Sequence, residues 1–157
     1  MPSSILLLAL GNDIMCDDAA ALIAARILKG RFGQQVDFVN TIETGLALLD
    51  IMSGYDRALL LDTIVTGDHQ PGTILDVTKD DFENGLGPSP HFMSLPDVIE
   101  LADRLSIVLP KEIRILALEI EQPEEFGETL SPPIEQAIPN YVQKAAGLLR
   151  QWLQEDC

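Results

Sequence analysis

Three acidic residues and one histidine are the side chains of this sequence best suited to metal chemistry. Asp17 and Asp18 follow an apolar run near the start of the chain, Asp62 ends a second apolar run, and His91 lies in the segment PSPHFMS. Two carboxylates and one imidazole make a plausible site for nickel, zinc or cobalt, and the residue types do not choose among them. A carboxylate beside a metal could also act as a general base toward water.

Each of these residues also has a purely structural explanation. Aspartate is a preferred helix cap, which would account for Asp17 or Asp18. Asp62 could be a turn residue at the end of a strand, and a single histidine in a loop is more often without a special role. Taken jointly this explanation is weaker, because a carboxylate that ends a buried strand is costly unless it is paired or bound to a metal.

Other kinds of site are less well supported. An acidic pair after the first strand and Asp62 after the third resemble a phosphorylation receiver domain, but a receiver needs a lysine after strand five, where this chain reads LEIEQPEE. A non-enzymatic metal-binding or receiver-like signalling module is therefore the alternative function. The sequence has no GxGxxG turn for a dinucleotide and no GxSxG elbow for a serine nucleophile. Cys16 beside His91 would be a weaker candidate for a thiol nucleophile.

Composition indicates one soluble domain. The 157 residues are 46% hydrophobic, which is enough for a sizeable core, and we expect residues 1–157 to form a single domain. The net charge of −15 argues against a nucleic-acid partner, because phosphate contacts need clustered basic residues. Cys16 and Cys157 form no disulfide framework, and the apolar run at the start is too short to span a membrane. These features predict a cytoplasmic protein without a membrane partner.

The elements that would position the acids follow from hydrophobic patterning. Strands are predicted at residues 5–10, 36–41, 57–65, 73–77 and 113–120, and helices after the first, second and fourth strands and from residue 131 onward. We expect Pro139 to kink the last helix or to start it anew. The linker between the third and fourth strands is too short for a parallel crossover, so strand four should run antiparallel to strand three.

The predicted fold is thus a three-layer α/β/α sandwich with a mixed sheet. Ligands of open α/β sheets bind beyond the carboxyl ends of the strands. The acids after strand one and Asp62 after strand three lie at those ends, and they can converge if the two strands are neighbours.

Three segments, taken in order, resemble the hydrogenase maturation proteases. They are LLLALGNDIMCDD, with an acidic pair that opens a helix; LLLDTIVTGDHQPGT, with a strand that ends in Asp; and SPHFMSLPDVI, with a His before a helix. The resemblance covers nearly the full length of the chain. It implies a mixed five-stranded sheet in the order 2-1-3-5-4, with strand four antiparallel.

The resemblance also implies a specific activity. The family trims a C-terminal peptide from the large-subunit precursor of a [NiFe]-hydrogenase after nickel insertion, and nickel in the substrate is the recognition signal. The family's metal-binding positions match Asp18, Asp62 and His91, and the two aspartates are also the candidate catalytic residues. Asp18 stands where the family often has Glu, which leaves the metal geometry open. A further alternative, which this departure leaves open, is that the protein is an inactive relative of these proteases that acts as a binding scaffold.

Overall fold

The secondary structure follows the predicted strand and helix pattern. The computed structural model describes residues 4–12, 16–42, 46–78, 95–121 and 127–155. Within these ranges a short 3₁₀ helix, Cys16–Ala19, precedes the first α-helix. The strands are β1 (Ile5–Leu10), β2 (Asp37–Thr41), β3 (Arg57–Ile64), β4 (Ile74–Thr78) and β5 (Glu112–Glu119). The α-helices are α1 (Ala20–Phe32), α2 (Leu46–Met52), α3 (Leu95–Arg104) and α4 (Pro132–Glu155).

The strands form one mixed sheet in the order β2-β1-β3-β5-β4. β1 pairs in parallel with β2 and β3, and β3 pairs in parallel with β5. β4 runs antiparallel to β5, so the predicted order and the predicted direction of β4 are both confirmed. β1 and β3 are buried along their whole length, which explains why their sequences are apolar rather than alternating.

Helices cover both faces of the sheet. On one face, α1 and α4 pack over Leu7, Leu59 and Leu116, and alanines at the buried positions of α1 let that helix lie close to the strands. On the other face, α2 packs over Leu8 and Leu60, and α3 contacts α2. The three-layer α/β/α sandwich is therefore confirmed.

The last helix departs from one prediction. It begins at Pro132, as expected, but it continues through Pro139 to Glu155 as one element, so a new start at Pro139 is wrong. Pro139 is exposed, while its neighbours Ile138 and Val142 are buried against the core. This packing on both sides of the proline holds the helix together although one backbone hydrogen bond is missing.

Two further predictions concern the chain as a whole. None of the described helices combines the length and the hydropathy that crossing a membrane requires. The assignment of residues 1–157 to a single domain stays a prediction.

Candidate functional site

The site is built where β1 and β3 end side by side. The two strands are parallel neighbours, with Ala9 opposite Leu61. After β1 the chain passes through Gly11 and soon enters the 3₁₀ helix. A Cβ atom at Gly11 would lie 2.3 Å from the backbone oxygen of Asp18, so only glycine permits this close approach. The glycine thereby brings the 3₁₀ helix directly over the end of β1.

Asp18 faces β3. Its Oδ1 atom accepts a hydrogen bond of 2.7 Å from the hydroxyl of Thr63, and its Oδ2 atom accepts one of 3.0 Å from the backbone N–H of Asn12. The side chain is half-buried, so part of it remains accessible to solvent. These two bonds fix the orientation of the carboxylate at the edge of the sheet.

Asp62 lies next to the same threonine but is fully buried. Its Oδ1 atom accepts a hydrogen bond of 2.7 Å from the backbone N–H of Thr63. Side chains alternate along a strand, so Asp62 shares the face of Leu60 and Ile64, which packs toward α2. Thr63 lies on the opposite face, toward α1 and α4. The two acids therefore approach Thr63 from different sides of β3.

A tyrosine from α4 packs against the backbone at this position. The Tyr141 hydroxyl donates to the backbone oxygen of Leu116 at 2.6 Å and lies 3.2 Å from that of Asp62. Burial raises the pKa of Tyr141 well above its usual value, and the nearby charge of Asp62 raises it further. The phenol therefore stays protonated and remains a hydrogen-bond donor.

Asp17 has a different role from its neighbour Asp18. It is buried, and its carboxylate accepts hydrogen bonds of 2.7 Å from both the backbone N–H and the hydroxyl of Ser131, the residue before α4. Neither acid caps α1, because its N-cap residue is Ala19, which makes no side-chain cap bond. The interpretation of Asp17 or Asp18 as a cap of the first helix is thus wrong. Asp17 connects the turn after β1 to the start of α4.

Cys16 begins the 3₁₀ helix in a left-handed conformation, with φ of 50°. Its backbone N–H donates to the backbone oxygen of Gly127 at 2.9 Å. A Cβ atom at Gly127 would lie 3.1 Å from the sulfur of Cys16. The chain after β5 therefore packs against this turn at two positions, at Gly127 and at Ser131.

Comparison with known proteins decides the family. A family model described as hydrogenase maturation protease matches residues 22–148, most of the chain. The chain belongs to the hydrogenase maturation protease family. The prediction of an endopeptidase is confirmed at the level of this family.

Curated relatives match this chain along nearly its whole length, and solved structures share its fold. The hydrogenase 2 maturation protease of Escherichia coli is 27% identical over 153 residues, covering 94% of this chain and 91% of that protein. The hydrogenase expression/formation protein HoxM of Cupriavidus necator is 27% identical over 150 residues, covering 92% of this chain and 73% of that protein. The solved structure of the hydrogenase maturating endopeptidase HybD from E. coli superimposes with a TM-score of 0.79 at 24% identity, covering 94% of this chain and 93% of that one. The [NiFe] hydrogenase maturation protease HybD from Thermococcus kodakarensis gives 0.70 at 25% identity, covering 92% and 98%.

Two of the three predicted metal-binding residues lie in the described part of the chain. Asp18 and Asp62 both contact Thr63. His91 lies outside the described residues, so the predicted proximity of Cys16 to His91 also lies outside them. Within the described ranges, no three His, Cys, Asp or Glu side chains are grouped so as to hold a metal ion. The other histidine of the sequence, His69, is exposed.

Two polar residues at this end of the sheet were not singled out from the sequence. Thr63 connects the two acids, but a threonine within an apolar strand carries no distinctive pattern. Glu119, which ends β5, is almost fully buried and accepts hydrogen bonds from the backbone N–H and hydroxyl of Thr66. An acid at the end of an apolar run was the signal that led to Asp62, and the same signal marks Glu119.

Proposed function

We propose that this protein removes a C-terminal extension from the large-subunit precursor of a [NiFe]-hydrogenase after nickel has been inserted. The family membership and the names of the relatives support this substrate class. At the site, the proposal is carried by one observation: Asp18 and Asp62 both contact Thr63 at the carboxyl ends of β1 and β3. We expect the reaction to take place in the cytoplasm, without a nucleic-acid or membrane partner.

In this proposal the nickel ion belongs to the substrate, and the protein recognises it through contacts with Asp18, Asp62 and His91. Carboxylate oxygens and imidazole nitrogens suit borderline divalent ions, and other divalent metals would also occupy such a site. Each oxygen of an ionised carboxylate can accept more than one bond. The bonds that Asp18 accepts from Thr63 and Asn12 therefore leave acceptor capacity on both oxygens for a cation.

Asp18 and Asp62 are also the proposed catalytic residues. An ionised carboxylate within reach of water can accept its proton as the water attacks a peptide carbonyl. Asp18 is the candidate for direct contact with water, because it is half-buried whereas Asp62 is fully buried. The burial of Asp62 suits a group that is reached only when the substrate is in place.

The test compares nickel-loaded with nickel-free precursor. The purified protein is incubated with each form, and loss of the C-terminal peptide is followed by mass spectrometry. We expect cleavage only of the nickel-loaded form, and equal cleavage of both forms would contradict nickel recognition.

Variants of the site then test the assigned residues. Asp18→Asn, Asp62→Asn and His91→Ala should each abolish or strongly reduce cleavage. Asp76→Asn is the matched control, because it removes a carboxylate on β4 that pairs with Arg114 on β5, in a partly exposed ion pair worth at most about 1 kcal/mol. Cleavage at the normal rate by the Asp18 and Asp62 variants would refute the assigned site.

The structure offers little support for the alternative of a signalling module. A receiver needs its acidic pair at the phosphorylation site, but Asp17 is engaged with Ser131 instead. Incubation with acetyl phosphate should therefore leave Asp62 unmodified. A stable phosphoryl group on Asp62 would favour the signalling module over the protease.

A further inference from the structure

We propose that Thr63 is a positioning residue that holds Asp18 in the orientation needed to read substrate nickel, and this inference rests on the function proposed above. Thr63 directly contacts both proposed metal-reading acids. Its hydroxyl donates to Oδ1 of Asp18, and its backbone N–H donates to Oδ1 of Asp62, each at 2.7 Å. The residue is almost fully buried, so water does not compete freely for these bonds.

The position of Thr63 gives the contact its rigidity. It lies in β3, a central strand that pairs with β1 and β5, and its direct partner in β5 is Leu118. The side chain of Thr63 is almost fully buried, which limits the movement of its hydroxyl. Asp18, by contrast, lies in a short 3₁₀ helix outside the sheet. The hydrogen bond therefore fixes the carboxylate of Asp18, which lies on a turn, relative to the β-sheet.

The two contacts can be separated experimentally. The hydroxyl serves Asp18, whereas the backbone N–H serves Asp62. Thr63→Val keeps the shape of the side chain and the N–H but removes the hydroxyl. Thr63→Ser keeps the hydroxyl. The pair of variants thus isolates the bond to Asp18 from the bond to Asp62 and from packing.

Thr66 provides a matched control. Thr66 lies in the loop after β3, and its hydroxyl also donates to a carboxylate, that of Glu119. Thr66→Val therefore removes the same kind of bond from a neighbouring position without touching Asp18. Thr63→Ala is prepared as a second deletion of the hydroxyl, so that the result does not depend on one substitution folding well.

The experiment measures the affinity of each variant for nickel-loaded and for nickel-free precursor, alongside cleavage and the melting temperature. Residues that orient metal-binding groups typically change metal affinity or activity by about 10- to 100-fold when removed. We expect Thr63→Val and Thr63→Ala to lower the preference for nickel-loaded precursor by about tenfold or more. Thr63→Ser and Thr66→Val should keep the wild-type preference. A merely structural role would weaken binding of both precursor forms alike.

The possible failures point to different errors. If Asp18→Asn lowers the preference for nickel-loaded precursor but Thr63→Val and Thr63→Ala do not, the role of Thr63 is refuted while the proposed function stands. If Asp18→Asn keeps the preference for nickel-loaded precursor, Asp18 does not recognise nickel, and the positioning role of Thr63 is refuted as well. If Thr63→Ser is as impaired as Thr63→Val, packing rather than the hydroxyl is responsible, and the inference is again overturned.

Discussion

Replacement of Asp17 tests whether the two adjacent acids have separate roles. Asp17 accepts two hydrogen bonds from Ser131 and connects the turn after β1 to the start of α4. In Asp17→Ala, the backbone N–H and the hydroxyl of Ser131 lose this partner in a partly buried place. We therefore expect Asp17→Ala to lower the stability of the fold, whereas Asp18→Asn should mainly lower its activity.

The magnitude follows from the two bonds. Hydrogen bonds to a charged group contribute about 1.5–3 kcal/mol each, or about 3–6 kcal/mol for two independent bonds; because these two share one carboxylate, we expect a combined loss of about 2–4 kcal/mol. In a chain of this size, 1 kcal/mol shifts the melting temperature by about 2–4 °C, so Asp17→Ala should melt on the order of 10 °C lower. Ser131→Ala removes the hydroxyl bond but keeps the N–H bond, and it should cost about 1–2 kcal/mol, half of the combined loss.

Denaturant and thermal unfolding of the variants provide the assay. In the double variant of Asp17 and Ser131, the loss should be smaller than the sum of the single losses, because both remove the same hydroxyl bond. At a temperature well below melting, Asp17→Ala should still cleave precursor, while Asp18→Asn should not. Additive losses, or a stable Asp17→Ala protein without activity, would refute this division of roles.

Three further substitutions test the site and its surroundings. Gly11→Ala places a Cβ atom 2.3 Å from the backbone oxygen of Asp18, so we expect lower stability and weak cleavage; Gly30→Ala, where a Cβ atom meets nothing within 4 Å, should stabilise α1 by about 0.5–1 kcal/mol. Unchanged melting and cleavage for Gly11→Ala would contradict the close approach. Because the pKa of Tyr141 is raised well above 10.0 in the folded protein, only the unfolded phenol ionises as pH rises past about 10, and the free energy of unfolding falls there. Tyr141→Phe should flatten this alkaline fall in urea titrations, and an unchanged slope would contradict the burial of the phenol.

Hydrophobic patterning predicts the strands well, because the central strands are buried on both faces and therefore read as continuous apolar runs. The apolar run of β1 was predicted at residues 5–10 and is found there, and β3 ends one residue earlier than predicted. The direction of β4 followed from the short segment after β3. The insertion of β5 between β3 and β4 is a long-range pairing that linker lengths do not encode, and it came from the family resemblance.

One candidate site residue was chosen because the central strands are buried, and the assignment of the site itself stays a prediction. A carboxylate at the end of a buried strand is costly without a partner, and this pointed to Asp62. The bond from the Thr63 hydroxyl to Asp18 could not be foreseen, because a hydroxyl in an apolar strand is equally consistent with a bond to its own backbone. The choice of Asp18 over Asp17 as the proposed metal-binding acid also came from the resemblance, since composition and spacing treat the two residues alike.

The divergence of these two acids has a geometric cause. In a 3₁₀ helix there are three residues per turn, so consecutive side chains point about 120° apart. With Gly11 holding this helix against the end of β1, one acid is directed toward Ser131 at the start of α4 and the next toward Thr63 in β3. The first contact fixes the turn, and the second orients a half-buried carboxylate toward Thr63, the residue that also contacts Asp62. The short 3₁₀ segment thus lets one pair of adjacent acids contribute both an anchor for the turn and the proposed metal-reading group.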